Sequence, residues 1–188
     1  MATASALVPA APATRVSTTD VFRNGRFEAN DWPILGDADA FPSEGQVIVS
    51  FARALDLLSG DVLGNRRIGV IVGPADKVAE LAPHVDRLAV VAIDFPKYAD
   101  GRGFSQAVRL ARLGFAGEVR AIGNVLIDQI DFMRRVGITA FEVSHAVTRR
   151  YLEAGKDPAP GLYYQPSVRA EPPAGTRPWA RRTPVQDG

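Results

Sequence analysis

The stretch Leu88-Ala89-Val90-Val91-Ala92-Ile93-Asp94 is an unbroken apolar run closed by a carboxylate. A strand with one wet face alternates apolar and polar residues, so continuous apolarity predicts a strand covered on both faces, as in a parallel sheet. Ile68 to Val72 (IGVIV) has the same character. Shorter runs occur at Gln46 to Ser50, Glu118 to Ile122 and Ala140 to Val143. Successive runs begin 22, 20, 30 and 22 residues apart, which leaves room for a helix between neighbours. The expected fold is therefore α/β: a mostly parallel sheet of about five strands with covering helices, either an open sheet or a partial barrel. Five strands in 188 residues fall short of a closed eight-unit barrel, which takes about 250 residues.

Helical spacing supports that reading. Asp76 to Ala82 predicts a short helix ending near Pro83. Phe104 to Leu113 places Phe104, Ala107, Val108 and Ala111 on one face, turns Arg109 and Arg112 away, and is followed by Gly114 as a stop. Val125 to Val136 sets Leu126, Ile130 and Met133 on its buried stripe, with Gly137 as terminator. A fourth helix is expected from Ser144, an N-cap candidate, to about Gly155.

Outward from this core the composition changes. Of fourteen prolines, none falls between Lys97 and Asp157, whereas seven lie from Pro158 onward. Residues 1–19 and 166–188 hold too few large apolar side chains to offset the entropy of ordering them, so both are expected to be tails around a single domain over 20–165. The second tail is rich in proline and arginine. The first lacks the charged start and apolar stretch of a secretory signal, which points to the cytoplasm.

Bulk composition removes several function classes. Lys and Arg total 22 against 21 Asp and Glu, a net charge of +1, which is too small for the broad basic field of a nucleic-acid binder. No apolar run approaches the roughly 18 residues of a membrane span. Cysteine is absent, so the chain has no disulfide, thiol nucleophile, or cysteine-ligated zinc or iron–sulfur cluster. His84 and His145 are 61 residues apart without local partners at ligand spacing, and no metal or cofactor is expected.

Chemistry is expected where strands end, because loops after the carboxyl ends of parallel strands share one edge. After Asp94 come Lys97, Asp100, Gly101, Arg102, Gly103 and Ser105, running into a helix. Glycines that admit close approach, free amides at a helix start and two cations describe a site for a small oxyanion, with Lys97, Gly101, Arg102, Gly103 and Ser105 as contacts. Asp94, Asp100, Arg120, Asn124, Asp128 and Gln129 then supply the supporting shell. The same charges also read as a self-contained crossover in which Asp94 and Asp100 pair with Lys97, Arg102 or Arg120. Asp94 and Lys97 are the candidates for acid–base catalysis if the edge is an active site. Ser105 sits in a G-x-S-x-A string but lies some ten residues beyond the strand, outside the elbow that a nucleophilic serine needs.

Asp94-Phe95-Pro96-Lys97, Asp100-Gly101-Arg102-Gly103-Phe104-Ser105, Gly117 to Val125 and Asp128-Gln129 together resemble a bacterial family catalogued as a domain of unknown function and labelled "probable oxidoreductase involved in sulfite reduction". The resemblance implies a place in assimilatory sulfate reduction, with sulfite reductase or the sulfonucleotide reductase as partner. It carries no established catalytic residues. Asn124 stands where an aspartate is common in the family, and Val136 where a cysteine is common. Sulfite reduction proceeds through sirohaem coupled to a cysteine-held cluster, so this chain is not that catalytic subunit. It also lacks the strand–GxGxxG–helix context of a nicotinamide enzyme. The expected role is an accessory protein that binds an oxyanion or the sulfite-reducing enzyme. A non-redox enzyme acting on a small anion at the same loops and a purely structural protein are the alternatives.

Overall fold

The structure is a computed structural model, described for residues 20–97 and 99–156. Both expected tails, and the end of the expected domain beyond residue 156, lie outside the described residues. The chain runs β1 (Asp20–Arg23), β2 (Arg26–Ala29), β3 (Ile48–Val49), α1 (Phe51–Ser59), β4 (Ile68–Val72), a 3-10 helix (Val78–Arg87), β5 (Leu88–Phe95), α2 (Arg102–Arg112), β6 (Glu118–Gly123), α3 (Ile127–Arg135), β7 (Ala140–Phe141) and α4 (Ala146–Glu153). The strands form one α/β sheet in the order β2-β1-β7-β6-β5-β4-β3, parallel from β3 to β7 and antiparallel at the β1 pairings.

The sheet has seven strands rather than about five. The two additional strands are a hairpin that pairs Phe22 with Phe27 and, on its other side, with Phe141. Its turn is Asn24-Gly25, with φ of 53° and 80°, the left-handed pair that closes a two-residue hairpin. α1 also goes beyond the expected elements; Ser50 caps it by accepting from the Arg53 N–H. The helix expected at Asp76 to Ala82 is instead 3-10 and continues past Pro83 to Arg87. On α2 the buried face is Gly103, Gln106, Ala107 and Leu110, one position earlier than the Phe104 stripe, because Gly103 packs directly on Phe95.

The two sheet faces are built differently. Val70, Val91, Ile93, Phe95, Ala121 and Phe141 share one apolar cluster with Leu58, Leu81, Leu110 and Met133 from the helices. On the opposite face Ile48, Val90, Ala92 and Ile122 pack against Trp32. Trp32 belongs to the short connection leaving β2, and Ile34 then pairs with Ile48 at the far edge of the sheet. Five residue steps span at most about 18 Å, whereas seven inter-strand spacings laid flat would span about 34 Å. The sheet must therefore curl toward the Trp32 side, so the face that no helix covers among the described residues is concave.

Candidate functional site

The concave face carries buried charge toward the amino ends of its parallel strands. Arg120 is 0% exposed and ion-pairs with Glu118 at 2.7 Å, while its Nη1 donates to Asn30 Oδ1 at 2.9 Å. Glu118 also accepts from Arg23 at 2.8 Å, and Arg23 reaches Glu28 at 2.6 Å. Asn30 Oδ1 in turn accepts from the Trp32 N–H at 3.1 Å. This network ties the hairpin and the connection after it to β6. Arg120, expected in a pocket shell, thus works at the closure of the curled sheet.

Toward the carboxyl ends the same face opens into a cleft of about 550 Å³ lined by Ile34, Pro96, Ile122, Gly123, Asn124, Glu142, Ser144 and His145. The register pairs Asp94 with Ile122 and Ala121 with Phe141, so Asp94, Ile122 and Glu142 form one row across β5, β6 and the end of β7. Both carboxylates are 7% exposed. Gly123 makes room for the Asp94 carboxylate: its φ is +89°, and a Cβ there would lie 2.7 Å from the Phe95 carbonyl and 2.8 Å from Asp94 Oδ1. Asn124 follows, with its N–H bonded to the Phe95 carbonyl at 2.7 Å.

The cleft wall from β7 leads into α4. His145, not Ser144, is the N-cap: its Nδ1 accepts from the Thr148 N–H at 3.3 Å and meets Thr148 Oγ1 at 3.0 Å. An Nδ1 that accepts cannot also hold the proton, so the neutral ring carries it on Nε2. The first half of α4 is anchored to the hairpin, where Arg149 donates to Asp20 at 2.8 Å and stacks on Phe27 at 4.2 Å. That pairing holds the Asp20 carboxyl below the ordinary carboxylate range and raises the Arg149 guanidinium.

The loop expected to receive an oxyanion has another arrangement. Asp100 accepts from the Arg102 main-chain N–H at 3.2 Å and from its guanidinium at 2.9 and 2.7 Å. These bonds to Arg102 hold the Asp100 carboxyl at about 2. The self-contained pairing read from sequence is the one formed here between Asp100 and Arg102. Gly101 and Lys97 are exposed, Ser105 is exposed on α2, and Gly103 is buried, where a Cβ would lie 2.6 Å from the Phe95 ring. Gly103 is thus a packing glycine at the α2–β5 contact. Asp128 and Gln129 lie in the first turn of α3.

Of the expected residues, the structure gathers Asp94 and Asn124 at the cleft and leaves Lys97 one residue beyond its wall at Pro96. The sequence reading did not single out Glu142, Ser144 and His145 as site residues. Their signal was their position at the end of the fifth predicted strand, Glu142 within the Ala140 to Val143 run and Ser144 and His145 directly after it. Among the described residues no group of three or more His, Asp or Glu is placed to hold a metal ion, and no helix is long and apolar enough to cross a membrane.

A curled, mostly parallel sheet with a polar cleft at its carboxyl edge defines an α/β protein of the strand-end-site type. Residues 69–174 match the family described as bacterial protein of unknown function (DUF934), and the chain belongs to that family. The match includes every cleft residue except Ile34. No curated protein matches the chain.

Proposed function

We propose that this chain is a cytoplasmic accessory protein of assimilatory sulfite reduction, binding a small oxyanion in the strand-end cleft. The observation that carries the reading is that Asn124, Ser144 and His145, whose side chains can each donate a hydrogen bond, line one concave space. The 97–105 loop, with Arg102 held by Asp100, then serves as a rim toward the sulfite-reducing enzyme or the sulfonucleotide reductase. The pathway comes from the family resemblance. The lack of cysteine supports an accessory role rather than that of the cluster-bearing subunit.

A deletion strain tests the pathway when grown on sulfate, sulfite or sulfide as sole sulfur source. Growth on sulfide alone is the expected result. Equal growth on all three overturns the assignment.

One observation favours a second reading, a non-redox enzyme on a small anionic substrate: Glu142 and His145, a carboxylate and an imidazole, line the same cleft. In that case the purified chain turns over its substrate alone, and Glu142→Gln abolishes turnover while the fold persists.

A further inference from the structure

We infer that the solvent face of α2 is a docking surface for an acidic protein partner, with Arg109 and Arg112 meeting its carboxylates and Phe132 meeting an apolar side chain. The inference rests on the partner assignment above and names the surface and the chemistry that hold that partner.

Arg102, Ser105, Arg109 and Arg112 follow one another along α2 at steps of three, four and three, and all are exposed. They share one stripe on the side away from the buried Gly103, Gln106, Ala107 and Leu110. At about 1.5 Å per residue the stripe is about 15 Å long. Arg102 is paired with Asp100, whereas Arg109 and Arg112 form no ion pair among the described residues. Exposed carboxylates on the flanking elements are Glu80 and Asp86 on the 3-10 helix and Asp128 on α3. The helix dipole favours cations in the last turn, where Arg109 and Arg112 lie, and disfavours one in the first, where Arg102 stands. A stripe that is cationic at both ends is therefore not explained by the helix alone.

Apolar surface borders the stripe. Phe104 packs between Phe95 at 5.2 Å and Phe132 of α3 at 4.7 Å. Phe132 remains 43% exposed, with the Arg135 guanidinium 5.7 Å from its ring. Around the helix, the half-buried Val108 lies between Phe104 and Arg112.

This combination narrows what can cover the surface. A small oxyanion needs donors that converge, and these are spread along the helix. Nucleic acid needs a broader basic field than a net charge of +1 supplies. Arginines beside aromatic rings are the composition enriched at protein interfaces, where the cations steer and orient the partner and the rings supply area removed from water. A second copy of this chain fits poorly. Its exposed acids at Asp37, Asp39, Asp56 and Asp61 surround α1, so docking them on α2 makes a head-to-tail contact that propagates instead of closing a pair.

Biolayer interferometry of the full chain, with the purified sulfite-reducing enzyme and the sulfonucleotide reductase of the same organism as probes, tests the inference. One of the two should bind, more weakly as salt rises, because the contact joins exposed charges. R109E/R112E should weaken binding at least about tenfold, since it sets like charges against the partner. R109Q/R112Q should weaken it less, and keeps the test open if acids at the C-terminal end of α2 unsettle the helix. F132A should shorten the lifetime of the complex. R150E is the control: it changes the net charge as much as R109Q/R112Q does, at an exposed arginine of α4, and should leave binding unchanged.

Binding that neither double variant weakens, or that R150E weakens equally, overturns the surface and leaves the accessory role intact. Self-association that R109E/R112E abolishes makes the occupant a second copy and also overturns the inference. No binding of either enzyme by the wild-type chain overturns the surface and the partner assignment together, while growth of the deletion strain still judges the pathway.

Discussion

Val91, Ile93 and Phe95 of β5 point into an apolar cluster sealed by helices, while Val90, Ala92 and Asp94 of the same strand face the hollow on its other side. One face is packed mainly by hydrophobic burial, at about 25 cal/mol per Å² of apolar surface. The other buries a guanidinium, two carboxylates and part of an ion network beside a small apolar patch. Burying charge costs desolvation that an apolar side chain of similar size avoids, so the concave face is not built for stability alone. Apolar packing is concentrated on the convex side and buried polar groups on the concave side, and the two meet at β5 and β6.

The sharpest way to break this contrast is Arg120→Ala. Removing the buried guanidinium leaves Glu118 and Asn30 without it, and urea unfolding should show a loss of about 3–5 kcal/mol. Arg120→Met should recover much of that loss, because it fills the space without a charge. If Arg120→Ala costs no more than an ordinary surface change, the network is not what closes the sheet.

On the convex side Leu110→Ala should cost about 2–5 kcal/mol by the cavity it leaves against β5, with anion binding in the cleft unchanged. A binding defect in a folded Leu110→Ala chain would show that the two faces are energetically coupled.

The smallest effect is expected at the rim. Arg102→Ala should leave the melting temperature nearly unchanged near neutral pH, because the Arg102 side chain is exposed to solvent. In acid the pair becomes visible. Asp100 is held at about 2, below its ordinary 3.8, so its contribution is full above 3.8 and disappears as the pH falls toward 2. Asp20 and Glu28, lowered by Arg149 and by Arg26 and Arg23 respectively, act in the same direction. Melting temperature should fall over that window, and Asp100→Asn should make the decline shallower.

Much of the parallel sheet was legible because its signal is local. Ile68–Val72 agrees at both ends with its IGVIV run, and Leu88–Phe95 and Glu118–Gly123 extend the expected strands by one residue each. The hairpin was missed although Asn24-Gly25 between Phe22 and Phe27 is a strong turn signal; its strands are four residues long and adjoin a stretch that reads as a tail. α1 was missed although Ser50 and the spacing of Phe51, Ala54, Leu55 and Leu58 mark a capped amphipathic helix.

The candidate site was legible as an edge but not as a cleft. Arg102 looked available because a sequence cannot show that Asp100, two residues away, folds back onto both its guanidinium and its amide. Glycines at 101, 103 and 123 looked alike, yet one is open, one is packed on Phe95, and one admits the Asp94 carboxylate.

Hydrophobic periodicity and strand spacing were enough, without coordinates, to establish the α/β class, the order of the main elements and the edge where polar residues collect. Those properties follow from contacts among near neighbours in the chain. Only the tertiary structure decided that Asn30 to Ile34 would draw the sheet's edges together, and that Glu142 and His145 would share a hollow with Asn124. Both outcomes depend on how far a twisted sheet curls, a sum over seven strands that no single segment encodes.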